Sequence, residues 1–171
     1  MASGIWRTML AGVVATVACN EGLRPTIGCP GICGTVTYAS PLPDSLKDST
    51  DAVFVLTYRT FPQAPTDLFK FQPIPPPTVP AGGPPHRYAL SPLSAGTYEW
   101  VLAVWKRKSP EALSPQNADT PLREVGFYRD DGDTTRHGTG VVVVRTGTDS
   151  INFVIDFSNM HRICTYFPPC P

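Results

Sequence analysis

Charge is scarce in this chain, and what there is cancels. Asp, Glu, Lys and Arg make up 16% of the residues, with Lys+Arg and Asp+Glu both at 14. A globular domain usually carries roughly 25%, so no net field is left to draw in nucleic acid. Long apolar runs are missing too. The greasiest stretch, 9–17, falls well short of the roughly 20 residues needed to span a bilayer. Catalytic signatures are absent: there is no H-x-x-H, H-E-x-x-H, G-x-S-x-G, phosphate-binding loop or C-x-x-C. His86, His137 and His161 lie far apart in sequence. These absences point away from an enzyme, from a metalloprotease and from thiol redox catalysis. No segment shows a convincing amphipathic helical period.

Proline and apolar β-branched residues are what the chain has. Its 20 prolines cannot sit inside helices or central strands, so much of the chain is loop. Between the loops lie runs that read as strands, at 32–38, 52–61, 87–90, 97–107, 122–128, 140–146 and 151–157. The last alternates Ile151, Phe153, Ile155 and Phe157 with Asn152, Val154 and Asp156, the pattern of a half-buried strand. Ala52 to Phe61 is almost continuously apolar and reads as central. In 97–107, alternation puts Tyr98, Trp100, Leu102 and Val104 on one face, taken as the core. Trp105 then falls on the other face with Val101 and Ala103, next to Lys106 and Arg107. About seven strands without helices predict an all-β sandwich, immunoglobulin-like or prealbumin-like. The segment 62–85 holds nine prolines and is long for a connection. It is expected to pack along one side, fixed by Phe69 and Phe71.

The N-terminus reads as an address. Arg7, the apolar stretch and Ala18-Cys19 fit a secretory signal over 1–18. Thr16-Val17-Ala18-Cys19 resembles the lipobox of bacterial lipoproteins, with Thr16 where that family commonly has Leu. The resemblance implies that Cys19 is acylated and becomes the first mature residue, anchoring the chain to membrane through its lipid. Ordinary cleavage after Ala18 is the alternative, giving a periplasmic or secreted protein. Asn20, by resemblance to lipoprotein sorting, points to the outer membrane. Residues 19–31 then form a tether, and 32–171 a single sandwich domain.

Gly34-Thr35-Val36-Thr37-Tyr38 and Leu93-Ser94-Ala95-Gly96-Thr97-Tyr98 resemble the strand openings of carboxypeptidase-regulatory-like and transthyretin-like domains. In the second, Gly96 supplies a turn tolerant of positive φ before a central strand. That resemblance implies an accessory or binding module of the cell envelope, without cofactor.

Two clusters of side chains are candidates for chemistry. Cys29, Cys33, Cys164 and Cys170 form an even set in an oxidising compartment, which favours disulfides with three possible connectivities. Pairing between the two clusters would staple the first strand to the tail, for about 2–4 kcal/mol per closure. Local pairing of Cys29 with Cys33 around Pro30-Gly31 competes, and a zinc site is the sharper alternative. Asp130, Asp131 and Asp133 flank Gly132 between two strands and could hold Ca²⁺, or could simply form a solvated turn. Trp105 with Lys106 and Arg107 is the candidate ligand surface. The expected function is a non-catalytic, lipid-anchored envelope module that binds protein, or alternatively a carbohydrate or small ligand at Trp105.

Overall fold

A computed structural model describes residues 29–166. Residues 1–18, read as a signal, and Cys19, read as a lipid anchor, lie outside the described residues, as does Cys170. Two β-sheets face each other. The first has three strands in the order β4 (His86–Leu90), β1 (Ile32–Ser40), β9 (Phe153–Asp156). β1 runs antiparallel to β4 and parallel to β9. The second sheet is antiparallel throughout. Its order is β10 (His161–Arg162), β7 (Leu122–Phe127), β6 (Trp100–Arg107), β2 (Thr50–Tyr58), β3 (Thr78–Val79). A separate pair, β5 (Gly96–Tyr98) with β8 (Val141–Val143), closes one end. Among the described residues, helix is limited to α1 (Asp44–Lys47) and the 3-10 turns Pro65–Lys70 and Ile163–Tyr166. Strand forms in each expected region, with 97–107 divided into two strands, and the protein is an all-β sandwich.

The core between the sheets is built from alternate residues. Ile32 and Val36 of β1, Leu90 of β4 and Ile155 of β9 are all fully buried. They meet Val53 and Val55 of β2, Val101, Ala103 and Trp105 of β6, and Val125 of β7. Each such aliphatic side chain removed from water stabilises the fold by about 1.5–3 kcal/mol.

The long strand expected over 97–107 is two strands, and this reverses its faces. At Glu99 the chain bends, and its pairing changes from β8 to β2. Glu99 N–H donates to Tyr58 O at 2.9 Å, and its carboxylate accepts from Phe61 N–H at 2.7 Å. Alternation does not carry through such a break. Tyr98 stays in the inter-sheet core, but Trp100 turns to the far side of the second sheet. The inter-sheet face of β6 is therefore Val101, Ala103 and Trp105. Trp105 is 4% exposed, and its Nε1–H donates to Thr50 Oγ1 at 2.8 Å. The reading of Trp105 as an outward residue is thus overturned.

The proline-rich segment is more ordered than a loop. Gln72 exchanges both backbone hydrogen bonds with Thr57, at 2.8 and 2.9 Å. Pro77 O accepts from Val55 N–H at 3.0 Å, and Thr78–Val79 pair with β2 as β3. Proline donates no N–H, so it fits an edge only where the partner supplies the donor or no bond is made. The segment closes the outer edge of the second sheet, a protection that exposed edges need. Residues 29–31, read as the end of a tether, are built into the sandwich. Gly31 O accepts from Thr148 N–H at 2.7 Å, and Cys33 N–H donates to Thr148 O at 2.8 Å.

Where β7 meets β9, the two sheets touch backbone to backbone. A Cβ on Gly126 would stand 2.0 Å from Val154 O. Gly126→Ala is expected to cost about 1–3 kcal/mol, the scale of overpacking a closed site. Gly140→Ala, whose nearest atom would be at 3.5 Å, is expected to cost little. Urea unfolding of both variants checks this; equal midpoints would refute the close approach.

Candidate functional site

Both faces of the second sheet are apolar, and only one is covered by another sheet. The residues of β2 that point away from the inter-sheet core are Phe54, Leu56 and Tyr58. Register sets them beside Val104, Leu102 and Trp100 of β6. This outer face is roofed by irregular chain. The 3-10 turn Pro65–Lys70 contributes Leu68 and Phe69, and Phe71, Pro75 and Pro76 continue over it. Leu113 comes from the following loop and Ile163 from the C-terminal turn. Beneath the roof lies a cavity of about 350 Å³. Phe54, Phe69, Phe71 and Leu113 are its partly exposed walls.

The closed end is an aromatic cluster. Trp100 is fully buried, with ring centroids 5.7 Å from Tyr58, 5.0 Å from Phe61 and 4.9 Å from Tyr166. Its Nε1–H has no hydrogen-bond acceptor. Tyr58 hydroxyl donates to Leu68 O at 2.8 Å, which ties roof to floor. Burial holds that phenol above its ordinary pKa, so it stays a donor. Tyr166 hydroxyl donates to Glu124 Oε2 at 2.6 Å, and His161 Nδ1 lies 2.9 Å from the same oxygen. Glu124 is 2% exposed, a carboxylate tolerated inside because it is hydrogen-bonded. Burial first, then the neighbouring Glu124, push Tyr166 up as well. This group fixes the C-terminal turn over the sheet. Glu124 and His161 also border a cleft of mixed lining, about 420 Å³, between β7 and β9.

The side chains lining the apolar cavity present no acid–base pair and no nucleophile beside a base. They offer shape and removal of apolar surface from water. Lys106 closes the open end of the floor, its ammonium paired with Asp51. The sequence reading selected Lys106 for its neighbourhood to Trp105, yet the two point to opposite faces. Arg107 is exposed at the strand end and does not line the cavity. Sequence reasoning missed Phe54, Leu56, Tyr58 and Trp100 as a surface needing cover. The signal was present in β2, which is apolar on both faces and so cannot be half-exposed.

Cys29 pairs locally. Cys29 and Cys33 form a disulfide with Cα atoms 5.8 Å apart, brought together by the Pro30-Gly31 turn. This bond does not staple the first strand to the tail, as pairing between the two clusters would have done. Cys164 is disulfide-bonded too. Bonded sulfurs are not thiolates, which removes the zinc alternative at these positions. Among the described residues, no group of three His, Cys, Asp or Glu is placed to hold a metal ion.

The three aspartates of the 130–133 turn do not converge. Asp130 accepts from the Tyr128 hydroxyl, and Asp131 is exposed. Asp133 accepts from Thr135 N–H and from Thr139 Oγ1–H, both at 2.7 Å. The Asp130 and Asp133 carboxylates serve the turn's own backbone and hydroxyls. No protein-family profile, no curated protein and no solved structure matches the chain.

The hydrogen bonds from Thr135 N–H, then from Thr139, hold the Asp133 carboxyl at about 2. A depressed carboxyl stabilises the turn fully above its ordinary value of about 3.9. That contribution fades as pH falls through the folded value. An NMR titration of the Asp133 carboxyl carbon is expected to show a midpoint near 2. Thr139→Val is expected to move it upward; a midpoint at the ordinary value in the unaltered protein would contradict the turn geometry.

Proposed function

We propose that this protein is a non-catalytic β-sandwich of the bacterial cell envelope, anchored by lipid on Cys19, that binds a small apolar ligand. The cavity of about 350 Å³ between the second sheet and its proline-rich roof carries the reading. Pockets for small ligands are mostly apolar and run from roughly 300 to 1,000 Å³. A carbohydrate at Trp105 is not the reading favoured, because that ring is inside the core. The ligand site moves to the opposite face of the same strand.

Of the two sandwich types expected, strand order favours the prealbumin-like one. An immunoglobulin constant domain keeps its first two strands in one sheet. Here β1 and β2 belong to different sheets, and β1 pairs in parallel with β9. The envelope address rests on the lipobox-like Thr16-Val17-Ala18-Cys19, with Asn20 favouring the outer membrane. The disulfide Cys29–Cys33 is in keeping with an oxidising compartment.

Two measurements test the two halves. Radiolabelled palmitate is expected to enter the chain and to be lost in Cys19→Ala; label in both proteins, or in neither, overturns the anchor. A solvatochromic apolar dye is expected to bind the purified protein with a blue-shifted emission. Val104→Phe, which fills the floor of the cavity, is expected to weaken that binding at least tenfold while leaving thermal stability near that of the unaltered protein. Undiminished binding in a folded Val104→Phe would place the dye elsewhere and sink the cavity reading.

A further inference from the structure

The cavity is a trough with a charge at one end, and that shape selects among apolar ligands. On β6 the side chains of Trp100, Leu102, Val104 and Lys106 follow one another along the outer face. At about 3.3 Å per residue the row is on the order of 20 Å long. β2 lies alongside, its Tyr58 opposite Trp100 and its Ala52 opposite Lys106. One end is thus sealed by stacked rings. The other has a small methyl beside an ammonium, which leaves headroom there.

Among the described residues that line the cavity, Lys106 alone is charged. The Tyr58 hydroxyl already donates to Leu68 O, so it has no proton left to donate to an anionic head. The Lys106 side chain is 28% exposed and its partner Asp51 43% exposed, so the charged end faces solvent. An exposed pair of this kind contributes little and yields readily to a competing anion.

We infer that the cavity takes a linear amphiphile with an anionic head, of the fatty-acid class. The chain lies along the floor towards Trp100, and the carboxylate sits at Lys106 in competition with Asp51. This rests on the ligand-binding reading above and adds the ligand's class and orientation. A neutral chain of equal length lacks the ion pair, and a cationic one meets like charge.

Displacement of the apolar dye by laurate, by dodecanol and by dodecyltrimethylammonium tests it on the purified protein. Laurate is expected to displace at a concentration at least tenfold below the other two. Lys106→Met keeps the apolar stem and is expected to bring laurate down to the level of dodecanol, with dodecanol unchanged. Asp51→Asn frees the ammonium and is expected to strengthen laurate several-fold. Equal displacement by laurate and dodecanol overturns the anionic head and leaves the apolar pocket standing. So does a laurate preference that survives Lys106→Met. If the dye itself fails to bind, the pocket and the inference fall together.

Discussion

The structure turns on a sheet that is apolar on both faces. A sandwich has one partner sheet for each inner face and nothing regular for an outer one. β2 and β6 place Val53, Val55, Val101, Ala103 and Trp105 inward, and Phe54, Leu56, Tyr58, Trp100, Leu102 and Val104 outward. Left in water, the outer row would be a contiguous apolar patch of the kind that marks a binding or aggregation surface. The chain covers it with what remains once the strands are assigned. Those pieces are the proline-rich segment, the loop bearing Leu113 and the C-terminal turn.

Proline suits that duty for a physical reason. A covering segment that could form a full ladder would become another strand and extend the sheet sideways. With Pro73, Pro75, Pro76 and Pro77 it cannot. Its backbone bonds that of β2 at Gln72, Pro77 and Thr78–Val79, while Leu68, Phe69, Phe71, Pro75 and Pro76 lie over the face. Its own backbone is satisfied locally, as where Asp67 accepts from Gln63 and Ala64 N–H. The same prolines that blunt the sheet edge therefore supply the roof.

Much of the fold is legible in the sequence because alternation is a local property. Ile151, Phe153, Ile155 and Phe157 announce a half-buried strand, and the structure buries all four. Gly96 before Tyr98 announces a turn, and Gly96 adopts φ 137° there. The face of β6 was not legible, because a single bend at Glu99 inverts the alternation that reaches it from Tyr98. Nothing in Tyr98-Glu99-Trp100 marks the break; it is made by Tyr58 and Phe61, some forty residues earlier in the chain. The cavity was hidden for the same reason. Its floor can be read residue by residue, but its roof comes from distant segments. The double-sided apolar character of Ala52 to Phe61 was the one local sign that something must lie above it.

A roof of irregular chain also explains why a space remains. Two sheets pack by interdigitating side chains at regular spacing, and the result approaches crystalline density. A proline-rich segment presents short, rigid rings at spacings fixed by its own backbone, not by the pleat below. It is pinned along β2 and again where Tyr58 bonds Leu68, and between those pins it bridges. Filling the gap would take larger side chains at Val104 or Leu113, a change that the strand's apolar pattern would accept. The sequence instead keeps those positions of modest size and sets Lys106 at the end of the row. An empty apolar cavity costs stability through lost contacts. A floor that continues into an ammonium is the arrangement that the proposed ligand-binding reading calls for. The trough and its terminal charge are better understood together, as one surface, than as a packing defect beside a surface lysine.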